Sequence, residues 1–87
     1  MSWTVYILQC GDGSLYTGIT KNFPERLVAH ESGKGAKYTR GKGPFKVLYK
    51  EDTENRSIAS KREIFIKALS RKQKLELVGT EKSNIDR

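Results

Sequence analysis

Two strand-forming segments separated by a short glycine-containing loop constrain this chain more than any other feature. Residues 3–9 (WTVYILQ) and 14–19 (SLYTGI) are rich in β-branched and aromatic side chains, and Gly11-Asp12-Gly13 lies between them. This pattern predicts an antiparallel β-hairpin. Because 87 residues have room for one core only, we expect the hairpin to belong to a single domain over residues 1–79, followed by a flexible C-terminal tail over 80–87.

The length of the hairpin loop decides which side chains share a face of the sheet. A two-residue turn would place Tyr6 opposite Ile19, with Tyr6 and Tyr16 on opposite faces. A three-residue loop, with Gly13 in the left-handed conformation, would instead place Tyr6 opposite Gly18 and Tyr16 on the same face. In that register the bare glycine leaves room above the sheet for a phenol or a substrate.

Three later segments have the caps and apolar spacing of helices. Asn22 can cap a first helix over about 23–32, Thr53 a second, and Ser70 a third that stops at Gly79. The apolar stripe of the second helix, which should lie on the sheet, consists of Ile58, Ala59, Phe65, Ile66 and Leu69.

The segment between the first two helices predicts a long loop followed by a strand. Residues 33–44 are rich in glycine and end at Pro44, whereas residues 45–50 (FKVLYK) have strand character. The resulting order, β-β-α-β-α-α, predicts an α+β fold with a small three-stranded antiparallel sheet flanked by helices.

Positive charge is concentrated in one part of the chain. Seventeen Lys and Arg against ten Asp and Glu leave a net charge of +7, and residues 34–50 contain no acid. Such a block attracts polyanions, although charge alone fits a solvated loop equally well. Its candidate nucleic-acid contacts are Lys34, Lys37, Arg40 and Lys42.

Other classes of protein are disfavoured by what the sequence lacks. The longest apolar run is Val5 to Leu8, far below the length of roughly 20 residues that spans a bilayer, so we expect a cytoplasmic protein without a membrane partner. Cys10 is the single cysteine, which excludes a disulfide framework and a thiolate metal cluster.

Candidate functional residues lie on the hairpin and on the two helices that follow. Arg26 and His30 are four residues apart on the first helix, so both could reach one phosphate. Glu63 lies on the second helix at the flank of its apolar stripe, about 100° from the centre of that stripe, where a carboxylate can reach the edge of a cleft.

Two short motifs with tyrosines ten residues apart, Val5-Tyr6-Ile7 and Tyr16-Thr17-Gly18, resemble the paired signatures of the GIY-YIG nuclease family. Arg26, His30 and Glu63 follow in the order that the family keeps. The resemblance covers about residues 3–78. In length the chain is similar to the small stand-alone bacterial members of the family.

The resemblance implies metal-dependent hydrolysis of DNA phosphodiester bonds. By resemblance, Tyr16 deprotonates the attacking water, Tyr6 supports and orients it, and His30 assists. Arg26 would stabilise charge on the phosphate, and Glu63 would hold one Mg²⁺ or Mn²⁺.

An alternative function remains open at this point: a nucleic-acid-binding module of the same fold with weak or no catalysis, in which the tyrosines stack on bases. Ile19 stands where several family nucleases carry a lysine. Relatives usually take substrate choice from an attached module, and we identify none here. A protein partner that supplies substrate specificity is therefore also expected.

Overall fold

The structure, a computed structural model that describes the backbone of residues 2–85 and the side chains of residues 2–79, is a three-stranded antiparallel sheet with helices on both faces. The strands are β1 (Trp3–Gln9), β2 (Leu15–Thr20) and β3 (Lys46–Thr53), arranged in the order β2-β1-β3. The helices are α1 (Phe23–Glu31), α2 (Arg56–Ala68) and α3 (Arg71–Ile85), and one 3₁₀ turn, Lys37–Thr39, lies between α1 and β3. The predicted α+β class and element order are confirmed.

The hairpin adopts the register of the three-residue loop. Tyr6 lies opposite Gly18, and the Cys10 amide donates to the Ser14 carbonyl at 2.8 Å, which closes the loop. Gly13 has a φ of 87°, the left-handed conformation that side chains disfavour. The tyrosines of the two strands therefore lie on the same face of the sheet.

Each face of the sheet has its own core, because successive side chains of a strand point to opposite sides. One face packs against α2 and α3, and its buried residues are Val5, Ile7, Tyr49, Ala59, Ile66 and Val78. The other face packs against α1 and the loop after it, and its buried residues are Tyr6, Leu8 and Phe23. β2 is an edge strand, so its outer side remains open between these two layers.

The prediction that Thr53 caps α2 is wrong. β3 extends beyond the predicted 45–50 because it pairs along β1 as far as Trp3, opposite Thr53. The Thr53 hydroxyl donates to the Trp3 carbonyl at 3.0 Å. Asn55 caps α2 instead, its side-chain oxygen accepting from the Ile58 amide at 2.9 Å.

The predicted burial of Phe65 is also wrong. Its side chain is 54% exposed, and Ile58 is 43% exposed. The residues of α2 that reach the sheet are Ala59 and Ile66, which are seven apart and so lie almost one above the other on the helix. Phe65 precedes Ile66 by one position and points about 100° away, where the Arg62 guanidinium lies 5.3 Å from its ring.

Helix α3 begins as predicted and ends later. The Ser70 hydroxyl accepts from the Gln73 amide at 3.2 Å, and the Gln73 side chain accepts from the Ser70 amide at 2.9 Å, a reciprocal cap. The helix passes through Gly79, which does not adopt the positive φ of a helix stop, and continues to Ile85. The end of the expected flexible tail, 86–87, lies outside the described residues, and the flexibility of 80–87 stays a prediction.

Among the described residues, no helix combines the length and the apolar character that crossing a membrane requires.

Candidate active site

The tyrosines of the hairpin form the floor of the candidate site. The Tyr6 and Tyr16 ring centroids are 6.2 Å apart, and Phe23 packs edge-on against Tyr6 at 5.1 Å. A Cβ atom at Gly18 would lie 2.6 Å from the Tyr6 hydroxyl oxygen, closer than real Cβ atoms approach, and 3.0 Å from the Tyr16 ring, which is a tight contact. The Tyr6 phenol therefore occupies the space that the missing side chain of Gly18 leaves.

A chain of hydrogen bonds runs from the Tyr6 phenol into the loop after α1. The Tyr6 hydroxyl lies 2.9 Å from Nε2 of His30, and Nδ1 of His30 lies 2.8 Å from the Thr39 hydroxyl oxygen. The Thr39 hydroxyl donates its one proton to the Ala36 carbonyl at 2.9 Å, so its oxygen accepts from Nδ1 of His30. Nε2 then has a free lone pair, and the Tyr6 hydroxyl donates to it. The network thus assigns His30 as the neutral tautomer protonated on Nδ1.

Burial sets the charge of both members of this pair. It raises the pKa of Tyr6 to about 12, against an opposing effect of Arg26. Burial also lowers the pKa of His30, which is 1% exposed, and the charge of Arg26 lowers it further. At neutral pH the site therefore contains a protonated phenol bonded to an uncharged imidazole.

Arg26 brings positive charge to the tyrosines. It precedes His30 by four residues on α1, so the two side chains lie on one face of the helix. Its guanidinium interacts with the phenols of Tyr6 and Tyr16, chiefly that of Tyr6, and these contacts raise the pKa of Arg26. The side chain is partly exposed, which leaves the charge available to a phosphate group.

Glu63 approaches from the other layer of the fold. It follows the buried Ala59 by four residues and precedes the buried Ile66 by three, so it lies nearer the sheet than the predicted position at the flank of the stripe. Its side chain is 22% exposed and pairs with Lys67, with 3.4 Å between Oε2 and Nζ. Its charge contributes to raising the pKa of Tyr6, after larger effects of burial and Tyr16.

The donor atoms present fit a hard cation held by one carboxylate. Within residues 2–79, no three His, Cys, Asp or Glu side chains gather in an arrangement that could hold a metal ion. Zinc, which takes three or four protein ligands, does not fit such a site. Mg²⁺ keeps several waters and completes its shell with substrate phosphate, so the partly buried Glu63 carboxylate fits it.

The four basic residues singled out in the sequence follow α1. Lys34, Lys37 and Arg40 are exposed. Lys42 is partly buried, with its ammonium 3.7 Å from the centroid of the Tyr38 ring and 3.9 Å from the Asp12 carboxylate.

Two residues of this loop contact the site and were missed by sequence reasoning. Thr39 holds the His30 ring, and Tyr38 stacks on Tyr16 with a centroid distance of 5.9 Å and an interplanar angle of 23°. An aromatic residue inside a glycine-rich basic loop is a weak signal of such a contact. No pattern along the chain indicates that Thr39 meets His30, because their contact depends on how the loop folds back over α1.

Comparison with known proteins places the chain among related sequences and structures. The family model described as the GIY-YIG catalytic domain matches residues 2–76. A UPF0213 protein of Clostridium perfringens is 55% identical over 76 residues, covering 87% of this chain and 82% of that protein. A UPF0213 protein of Oceanobacillus iheyensis is 58% identical over 74 residues, covering 85% and 86%. The solution NMR structure of a UPF0213 protein from Bacillus halodurans aligns with a TM-score of 0.61 at 46% identity, covering 92% of this chain and 85% of that one.

Proposed function

Because this chain belongs to the GIY-YIG family of nuclease catalytic domains, we propose that it is a divalent-metal-dependent DNA endonuclease that hydrolyses phosphodiester bonds. The observation that carries the proposal is the hydrogen-bonded chain from Tyr6 through His30 to Thr39, placed beside Tyr16 and Arg26. Buried polar groups arranged in this way are typical of proton handling.

Tyr16 is the general base of the proposed reaction. A free phenol with a pKa near 10 is ionised in about one molecule in a thousand at pH 7, so it needs neighbours that stabilise its ionised form. The Arg26 guanidinium interacts with the Tyr16 oxygen and supplies positive charge there. The His30 ring packs against that of Tyr16, with 5.3 Å between centroids, and because Tyr6 and Thr39 occupy both of its nitrogens, His30 assists by holding the tyrosines in place.

Tyr6 supports the catalytic groups from within the fold. Its hydroxyl donates to Nε2 of His30 and its oxygen accepts from the Arg26 guanidinium, so the fully buried phenol fixes the positions of both side chains. Tyr6 therefore orients the attacking water through His30 and Arg26 and not by direct contact. A pKa of about 12 keeps Tyr6 protonated during this step.

Arg26 and Glu63 would neutralise the charge of the phosphate in this reaction. The guanidinium fork of Arg26 pairs with two phosphate oxygens and stabilises the charge that develops on them. Glu63 would hold the Mg²⁺ or Mn²⁺ ion, which supplies charge neutralisation at the phosphate and acidifies water when bound.

One observation favours a second candidate, a nucleic-acid-binding domain with weak or no catalysis. The Glu63 carboxylate lies 3.4 Å from the Lys67 ammonium, and a metal ion would have to compete with that pair. Such a domain would bind DNA with strong salt dependence and would not cut it.

The deciding experiment incubates single-stranded, duplex and branched DNA with the protein, with Mg²⁺, with Mn²⁺ or with a chelator. We expect cleavage only with metal, and a loss of about 100-fold or more in Glu63→Gln. Glu54→Gln is the matched control, since Glu54 is an exposed acid on the loop before α2. Cleavage that persists in the chelator or in Glu63→Gln contradicts the proposal. Salt-dependent binding without any cleavage supports the second candidate.

A further inference from the structure

A groove opens beside the tyrosine pair, outside the cluster formed by Tyr6, His30 and Arg26. Its volume is about 290 Å³, at the lower limit of pockets that take small ligands. It follows the outer side of the edge strand β2, so the sheet leaves it uncovered. The lining residues are Leu15, Tyr16, Thr17, Tyr38, Lys67 and Lys74.

One wall of the groove is an aromatic surface. Tyr38 is 47% exposed although it stacks on Tyr16 and the Lys42 ammonium lies 3.7 Å from its ring centroid, so a base that stacks on this ring takes the place of that ammonium. The two rings are within 23° of parallel, and together they extend from the candidate active site into the groove. Such a surface suits a flat π system, because base–aromatic stacking is favourable for every nucleobase.

The remaining wall carries positive charge from two different helices. Lys67 projects from α2 and Lys74 from α3, and both line the groove. Lys67 is also paired with Glu63, which links this wall to the carboxylate proposed to hold the metal. Stacking rings and ammonium groups in one groove match the two parts of a nucleotide, the base and the phosphate.

We infer that this groove binds one unpaired nucleotide next to the scissile phosphate, with its base against Tyr38 and its phosphate at Lys74. A base within a duplex is already stacked and paired, so only single-stranded or locally unpaired DNA can use the site. The inference rests on the proposed nuclease function and names its substrate class.

The test measures binding of fluorescein-labelled oligothymidylate and of a duplex of the same length by anisotropy, in a chelator so that nothing is cut. Tyr38→Ala weakens single-strand binding roughly 5- to 150-fold and leaves duplex binding nearly unchanged. Tyr38→Phe keeps the ring and binds within about twofold of wild type. Phe65→Ala is the matched control, because Phe65 is also half exposed with a cation over its ring but lies on the far side of α2, and it should not alter binding.

The contribution of the basic wall is tested separately. Lys74→Gln lowers the salt slope of single-strand binding by about 0.7, the value for one phosphate contact. The inference is overturned if Tyr38→Ala binds single strands like wild type, or if it weakens single-strand and duplex binding equally. Metal-dependent cleavage by wild type in the same preparations shows that the nuclease proposal stands even then. Absence of cleavage overturns that proposal, whatever Tyr38 does.

Discussion

Replacing Gly18 with alanine tests the central geometry of the site. An added Cβ would lie 2.6 Å from the Tyr6 hydroxyl oxygen, whereas ordinary contact begins at 3.4 Å, so the phenol must move by about 0.8 Å. The Tyr6 hydroxyl is 2.9 Å from Nε2 of His30, and a displacement of that size stretches or compresses the bond beyond a normal hydrogen bond.

The expected cost follows from two opposing effects. Crowding and the loss of a buried hydrogen bond each reduce the free energy of unfolding by about 1–3 kcal/mol. Alanine restricts the unfolded chain more than glycine does, which stabilises the protein by about 0.4–1 kcal/mol. We therefore expect Gly18→Ala to be less stable than wild type by at least about 1 kcal/mol, which lowers Tm by about 4–8 °C.

The assay is thermal unfolding followed by circular dichroism, with DNA cleavage measured on the same samples. Gly79→Ala is the matched control, since Gly79 lies in α3 and a Cβ there meets nothing within 4 Å. That variant should be more stable than wild type by about 0.5–1 kcal/mol. If Gly18→Ala melts at the wild-type temperature and keeps its activity, the Tyr6 phenol does not pack directly against Gly18, and the predicted steric conflict is refuted.

Three further outcomes are expected from pH, core packing and surface charge. Folding lowers the pKa of His30, so the stability that this group contributes is complete above its unfolded pKa of about 6.5 and is lost as pH falls towards the folded value. Thermal unfolding between about pH 7 and pH 5 measures this loss, and an unchanged Tm would contradict it. Ile66→Ala lowers the free energy of unfolding by about 2–5 kcal/mol, whereas Phe65→Ala, at a half-exposed position, lowers it by less than about 1 kcal/mol; equal losses in urea melts would contradict the described orientation of α2. Replacing Lys37 and Arg40 with glutamine lowers the salt slope of duplex binding by about 1.8, and an unchanged slope would remove both from the contact surface.

Local patterns were enough to predict the elements that position the site. Strand-forming residues on both sides of a glycine loop predict the hairpin, and the helix cap at Asn22 predicts α1. The spacing of Arg26 and His30 places both on one face of that helix, because the geometry of a helix is set by near neighbours along the chain.

The orientation of α2 could not be predicted in the same way. Phe65 and Ile66 are both apolar, and the periodicity of the sequence admits either of them at the sheet. Only the packed fold selects Ile66, which is fully buried, while Phe65 stays half exposed beneath Arg62. The choice depends on long-range packing, since Ile66 joins a core cluster with Val5, Ile7 and Tyr49 from the sheet.

The sequence by itself determined which chemical groups this protein has and roughly which elements carry them. It left open whether Tyr6 and Tyr16 share a face, because two loop lengths were both compatible with Gly11-Asp12-Gly13 and differ by one residue in register. The tertiary structure decided that question and added Thr39 and Tyr38 to the site. These contacts join residues from separate elements, and they form only when the loop after α1 packs back against the sheet.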